Sequence, residues 1–377
     1  MNSSIYKNPH LHIVAMRIKF TVAQSCARGG TGMRLIDFSD CKIDRHTDYA
    51  GSDRKNAIIY DGDRYMIKFS ERQEPKNDYA TSRVNNVLSE YIGSHIASLA
   101  GIPTHETLLG TYNGELVVAC KNFLKPGETL HEFSWYLRNQ YDSSDIKRTP
   151  VLSQIYDTIN NHPDLSQIRQ IAIDRYWDTF VVDALIGIFD RHAGNWGYIV
   201  GVDDTIRPSP IYDCGSCLYS GLSTDQMEKV TSTELSIAEK LFSYPKAALV
   251  VGELDAKVGY YDMLSSGYDK ACSKAVLRIV PRIDMNDVIS IIEQTPCLSK
   301  ERRQFYETML ELRYELILER AYMRVSEDRY DDVALDRIGT VSFKEEVDAW
   351  NEYLRAKEEV DLSTAYYEHG GTRDAVH

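Results

Sequence analysis

Apolar residues recur along this chain with two periods, and the change from one to the other predicts its elements. From Ala57 to Tyr60 and from Tyr65 to Phe69 the pattern is strand-like, and Asp61-Gly62-Asp63 between them predicts a hairpin, because Asp-Gly suits the positive φ angles of a tight turn. From about Arg83 to Ala100 the spacing becomes helical: Val84, Val87, Leu88, Tyr91, Ile92, Ile96 and Leu99 recur every three or four residues, and Gly101 and Pro103 end the run. A second hairpin follows, Thr107 to Tyr112 and Glu115 to Ala119 around Asn113-Gly114, and delivers the chain to Cys120-Lys121-Asn122-Phe123.

Beyond Pro126 the pattern is mainly helical. The clearest element is Ile171 to Ile188, where Ile173, Tyr176, Trp177, Phe180, Val181, Ala184, Leu185 and Ile188 make a broad apolar face that predicts a helix at the centre of a lobe. Short extended segments follow at Tyr198 to Val202 and Pro210 to Tyr212. Further helices are predicted from Met285 to Gln294 and from Ser299, an N-cap, to about Val325. Val341 to Val360 reads as a separate charged helix with Ser342 and Glu345 as a capping box; its stripe of Val347, Trp350 and Leu354 docks on the parent domain or on a partner. The expected division is an N-terminal appendage (1–32), a strand-rich lobe (33–123), a helical lobe (124–325) and a charged helix and tail (326–377). The fold class is α+β in two lobes.

A chain of 377 residues exceeds the usual single core, so a ligand cleft between lobes is expected. A formal charge of −13 argues against a nucleic-acid surface, and an anionic nucleotide would need a local basic site. No run approaches the roughly 20 apolar residues that span a bilayer. Leu11 to Met16 is too short for a signal core, so the expectation is a cytoplasmic protein without membrane contact, a secreted effector remaining open. Seven scattered cysteines do not suggest a disulfide framework. Cys214 and Cys217 form a C-x-x-C, redox-active or half of a zinc site if read alone, but no second ligand pair accompanies them.

The chemistry is carried by polar residues in apolar surroundings. Lys68 lies on the strand face opposite Ile67 and Phe69, where a half-buried ammonium needs a partner, and Glu90 on the following helix is the candidate. Asp190-Arg191-His192-Ala193-Gly194-Asn195 follows the most apolar helix directly, and Asp213-Cys214-Gly215 follows Pro210-Ile211-Tyr212. Turn roles explain Asp190 or Asn195 singly but not the set. Together they supply a carboxylate to orient a hydroxyl, and an amide and a second carboxylate for Mg²⁺, which is the layout of a phosphoryl-transfer site. Ala50-Gly51-Ser52, with Lys55, offers small residues and charge to an anion, although a polar turn before a strand explains that stretch equally.

This order of motifs resembles the HipA-type serine/threonine kinases, whose fold is related to protein and phosphatidylinositol kinases; the likeness covers about Arg34 to Val325. It implies a kinase-like fold with a small antiparallel-sheet N-lobe and a mainly helical C-lobe, and ATP and Mg²⁺ as cofactors. It further implies that Ala50, Gly51, Ser52 and Lys55 cover the phosphates, that Lys68 contacts them, and that the backbone of Lys121, Asn122 and Phe123 holds the adenine. Asp190 would accept the proton, with Lys68 and Glu90 in the catalytic set; His192, Asn195 and Tyr212 would contact the nucleotide, and Asn195 with Asp213 the metal. Only a short stretch precedes Gly51, as in the short forms of the family, and Asp48 stands where the longer toxins carry a regulatory autophosphorylated serine; Ser52 and Thr47 are other acceptors.

The expected function is an ATP- and Mg²⁺-dependent protein serine/threonine kinase that phosphorylates itself and an unidentified protein substrate. Two alternatives stay open. A lipid or small-molecule kinase usually adds a basic activation segment, which Tyr219 to Asp225 lacks; a nucleotide-binding regulator without turnover would use the Val341 to Val360 helix as its contact surface. Toxin, effector and defence roles share this site.

Overall fold

Asp61 and Gly62 take φ angles of 49° and 84°, and Asn113 and Gly114 take 51° and 79°, so both dipeptides form the left-handed turns that tight hairpins require. The computed structural model describes residues 35–44, 54–70, 86–147, 149–252 and 256–327, all inside the unit Ala27–Gly339. The expected N-terminal appendage, Ala50 to Ser52, Val84, the Val341 to Val360 helix and the tail lie outside the described residues.

The hairpins build one six-stranded sheet. Its strands are β1 (Ile36–Asp37), β2 (Lys42–Ile43), β3 (Lys55–Tyr60), β4 (Asp63–Phe69), β5 (Thr107–Tyr112) and β6 (Glu115–Lys121), ordered β1-β5-β6-β4-β3-β2. All neighbours are antiparallel except β1 and β5. Phe38, Ile58, Tyr65, Ile67, Phe69, Val117 and Ala119 form a core on one face. Alternation therefore puts Lys68 on the other face, with Lys55 directly across the hairpin from it.

Helix α1 (Asn86–Leu99) covers that second face and ends at Gly101, φ 75°. Val87, Leu88, Tyr91, Ile92 and Ile96 are buried as their spacing predicts. Gly93 marks a close approach: a Cβ there would lie 2.8 Å from Cys217 Sγ and 3.0 Å from Cys214 Cβ. The C-x-x-C is thus a packing element beneath α1. Burial raises both thiols, Cys214 to about 12, and Cys217 Sγ donates to the Ser89 carbonyl at 3.2 Å. Such protonated, enclosed thiols are inert.

The second lobe holds α2 (Phe133–Gln140), α3 (Leu152–Asn161) and α4 (Arg169–Ile186). Helix α4 stops two residues short of Ile188, at Gly187 with φ 65°, and Ile188 remains buried in the loop beyond. The buried Arg313 reaches the end of α4 and donates Nε to the Ala184 carbonyl at 2.7 Å, placing a cation at a helix C-terminus. The helix predicted from Ser299 is capped by that residue and runs Lys300–Arg313, then loosens to a π-helical stretch, Tyr314–Glu319, before Arg320–Ser326. Met285–Gln294 is helical as expected, with Asp284 as its N-cap.

The lobe is mainly helical as expected, with three short strands, of which the sequence reading had one. A small sheet, β7 (Thr129–Glu132), β8 (Gly197–Val200) and β9 (Ile206–Pro208), brackets the Asp190 loop. β7 and β9 are too short to show alternation, and the strand expected to reach Val202 ends at Val200, before the turn that begins at Gly201. Pro210 to Tyr212 makes no strand; Ile211 bridges Thr104 alone, exchanging backbone bonds with Pro103 and His105.

Gly93→Ala gains helix propensity but forces α1 away from Cys214 and Cys217, and overpacking of this kind costs about 1–3 kcal/mol. A lowered melting temperature by calorimetry is the expected result, and an unchanged or raised one contradicts the close packing.

Candidate active site

The Lys68 ammonium lies 2.8 Å from Glu90 Oε2 and 2.9 Å from Asp213 Oδ1, joining β4, α1 and a turn 145 residues downstream. The Lys68 and Glu90 side chains are 12% and 1% exposed and that of Asp213 35%, so solvent screens the first contact least. Burial alone would lower the Lys68 pKa, but Asp213 and Glu90 outweigh it and hold the ammonium well above its ordinary value. Burial would likewise raise both carboxylates, and Lys68 is the main reason that each lies below the usual range.

Glu90 uses both oxygens. Oε1 accepts from the Cys214 backbone N–H at 3.0 Å, and His105 Nε2 lies 3.0 Å away, poorly aligned for a hydrogen bond. The residue after Asp213 is therefore tied to the carboxylate that holds Lys68. Asp213 itself has φ 57°, a left-handed conformation that Asp tolerates better than most side chains.

Arg191 organises the other side. Its guanidinium pairs with Asp183 of α4 at 2.9 and 3.0 Å and donates to the carbonyls of Asn195, at 3.1 Å, and Tyr212. One buried cation thereby fixes both the Asp190–Asn195 loop and the approach to Asp213. Asn195 Nδ2 donates to the Asp190 carbonyl at 2.8 Å, which orients its amide and leaves Oδ1 as the acceptor. Lys68, Asn86, Glu90, Asp190, Asn195, Asp213, Gly215 and Ser216 line a single cleft.

The family pattern named HipA-like C-terminal domain matches residues 47–258, more than half the chain. The serine/threonine-protein kinase CtkA of Helicobacter pylori strain J99 is 35% identical over 283 residues, 74% of this chain and 86% of that protein. The crystal structure of the Helicobacter pylori proinflammatory kinase CtkA superposes with a TM-score of 0.71 at 34% identity, covering 78% of this chain and 99% of that one. The chain belongs to the HipA-like kinases. A chain from the Shewanella oneidensis MR-1 toxin–antitoxin complex of HipA, HipB and operator DNA matches at 15% identity with a TM-score of 0.48, over 84% of this chain and 73% of that one.

This HipA-like kinase is thus an enzyme of the serine/threonine-protein kinase class, with the two-lobed α+β kinase fold that its motif order implied. Among the described residues no helix is long and apolar enough to cross a membrane.

Of the residues singled out in the sequence, Lys68, Glu90, Asp190, Asn195 and Asp213 meet in the cleft. Tyr212 stands beside the cleft with its ring 5.9 Å from that of Phe123, and its hydroxyl donates to the Gly194 carbonyl at 3.2 Å. His192 is not a lining residue; its Nδ1 accepts from Gly194 N–H at 3.0 Å and shapes the loop. In the hinge, the Lys121 and Asn122 N–H groups are spent on the Glu106 and Arg64 carbonyls, both at 2.9 Å, and Lys121 Nζ is 2.6 Å from Asp63.

Three functional residues escaped the sequence reading. Arg191 was visible only as part of a motif, and Asp183 only as an acid that shares its helix with Asp174 and Asp178; His105, in a turn after Pro103, gave no signal. Removal of the His105 ring should loosen Glu90. His105→Ala is expected to cut kcat/KM about fivefold, the worth of about 1 kcal/mol of polar contact, with recovery in His105→Gln. Equal activity in all three proteins would contradict this.

The acidic and basic members of the cluster give it a defined pH window. Glu90 and Asp213 sit below their unfolded values, so their stabilisation is present above about pH 4 and lost as pH falls through the folded values; Lys68 sits above its own, so its share persists below about pH 10. Lys68→Met leaves two facing carboxylates whose pKa values rise on folding. Its stability relative to that of the native protein should therefore fall as pH rises from about 4 to 7. Thermal melts across that range check the sign, and parallel profiles would contradict the pairing.

Proposed function

We propose that this kinase binds Mg·ATP in the cleft and transfers the γ-phosphoryl group to a serine or threonine hydroxyl of a protein in the cytoplasm, its own chain included. The observation carrying this reading is the convergence of an ammonium, three carboxylates and one oriented amide on a single cleft.

Asp190 orients the acceptor hydroxyl and takes its proton as the new bond to phosphorus forms. Lys68, steadied by Glu90, directs its charge at the nucleotide phosphates, and Lys55 across the hairpin lies on the same sheet face as a second cation. Ala50, Gly51 and Ser52 precede that strand and cover the phosphates.

Asn195 Oδ1 and the Asp213 carboxylate are hard oxygen donors that suit Mg²⁺, which takes few protein ligands and shares the substrate's phosphates. When bound, the ion neutralises phosphate charge. With Asp213 engaged as a metal ligand, Lys68, now 2.9 Å from it, would be released toward the phosphates. For the adenine, with two hinge N–H groups spent inside the lobe, the Phe123 backbone and the carbonyls of Lys121 to Phe123 read its edge, beside the Phe123 and Tyr212 rings.

Asp190→Ala should retain nucleotide binding and lose about 10²–10⁴-fold in transfer rate, the worth of a positioned base. Asp213→Ala should lose magnesium-dependent turnover. Radiolabelled ATP, offered with the chain alone, with a mixed protein substrate and with phosphoinositide vesicles, measures both. Native rates in both variants, or label confined to lipid, would overturn the proposal.

A further inference from the structure

Behind the Asp190–Asn195 loop lies a second cavity, larger than the cleft and unused by phosphoryl transfer. One face of α4 lines it with Ala172, Arg175, Tyr176, Thr179, Phe180 and Asp183, the spacing of a helical stripe turned toward a space that protein does not fill. Trp196 and the Pro208–Ile211 segment form other parts of the wall. The small residues Ala247 and Ala248 leave room where larger side chains would close it. The rings are organised: Tyr176 and Trp196 centroids are 5.1 Å apart, and Phe180 and Tyr260 5.0 Å.

Arg175 gives this apolar chamber its chemistry. A guanidinium offers five N–H donors. The bond it makes is long, Nη1 to the Ser209 carbonyl at 3.4 Å. Among the described residues no carboxylate lies within ion-pair distance of it. The two acids nearest in sequence, Asp174 and Asp178, are engaged by Arg278 at 3.6 and 2.5 Å, and Asp183 by Arg191 at 2.9 Å. Burial lowers the Arg175 pKa, partly offset by the charge of Asp178. A half-buried cation beside aromatic walls, with the neighbouring carboxylates paired to other arginines, is complementary to a flat anion, because a carboxylate can take two parallel N–H bonds while its ring displaces water from the apolar surface.

We propose that the cavity is a binding site for a small aromatic carboxylate, its anionic end on Arg175 and its ring among Tyr176, Phe180 and Tyr260. Asn195 lines both this cavity and the cleft, so occupancy is transmitted to the cleft. That coupling, though not the binding itself, rests on the reading of the cleft as the nucleotide site.

Phenylacetate titrated calorimetrically into the full chain is the test, with its neutral isostere phenylacetamide as the second arm. A ligand of this size bound by one ion pair and one ring is expected to saturate a single site with a Kd of about 1 mM or tighter. Phenylacetamide, and phenylacetate on Arg175→Met, should each bind about tenfold or more weakly. The acid–amide comparison uses native protein and decides the matter even if the variant is unstable. With saturating Mg·ADP the site should remain available with an altered Kd, and phenylacetate should change the ADP affinity by the same factor. Absence of saturable binding, equal affinity of acid and amide, or full affinity in Arg175→Met would overturn the proposal. Displacement by ADP would assign the binding to the cleft instead. An unchanged Kd with ADP would remove the coupling.

Discussion

The ammonium of Lys68 is the point on which this structure turns, because a buried carboxylate and a partly exposed one, from distant parts of the chain, are held together in ionised form by it. Removing one member of such a cluster leaves an uncompensated charge, a loss of about 3–5 kcal/mol for a buried pair. The interaction is consequently as much a topological constraint as a local contact. β4, α1 and the Asp213 turn must meet for the three charges to be paired inside the fold, and their meeting forms the cleft. The close approach at Gly93 and the buried Cys214 and Cys217 serve the same end, since they let the turn pack directly under α1.

Arg191 repeats the device one layer deeper. It is anchored by Asp183 on α4 and spends its remaining donors on the carbonyls of Asn195 and Tyr212. Two segments with no regular hydrogen-bond ladder between them are thereby held in register by one side chain. Sites held by packed, mutually bonded groups keep the positional precision that phosphoryl transfer requires, where orientation and charge supply most of the acceleration. Residues that touch no substrate, Asp183, Arg191 and His105, do much of this positioning.

How much of this was legible in the sequence depended on whether the determinant was local. Asp61-Gly62 and Asn113-Gly114 fixed both hairpins because turn chemistry is written in two residues, and Met285–Gln294 was read to the residue. Lys68 and Glu90 were found as partners because strand alternation and helical spacing constrain where each side chain can go. The short strands β7 and β9 were missed since three or four residues carry no period, and Pro210 to Tyr212 looked extended but pairs through Ile211 alone. His105 was invisible for a different reason: its role depends on Ile211, whose backbone brings it to Glu90 across the lobes. Long-range backbone bonds leave no local trace. The roles of Asp190, Asn195 and Asp213 were read from their residue types, the family likeness added the adenine contacts of Lys121 to Phe123, and the comparison with CtkA then settled the kinase class.

A crystal structure of the chain with Mg²⁺ and a non-hydrolysable ATP analogue addresses the central claim most directly. The account predicts a divalent ion in contact with Asn195 Oδ1 and the Asp213 carboxylate, the nucleotide phosphates within reach of Lys68, and Glu90 still holding the ammonium. A nucleotide bound elsewhere, or an ion that neither Asn195 nor Asp213 touches, would contradict it.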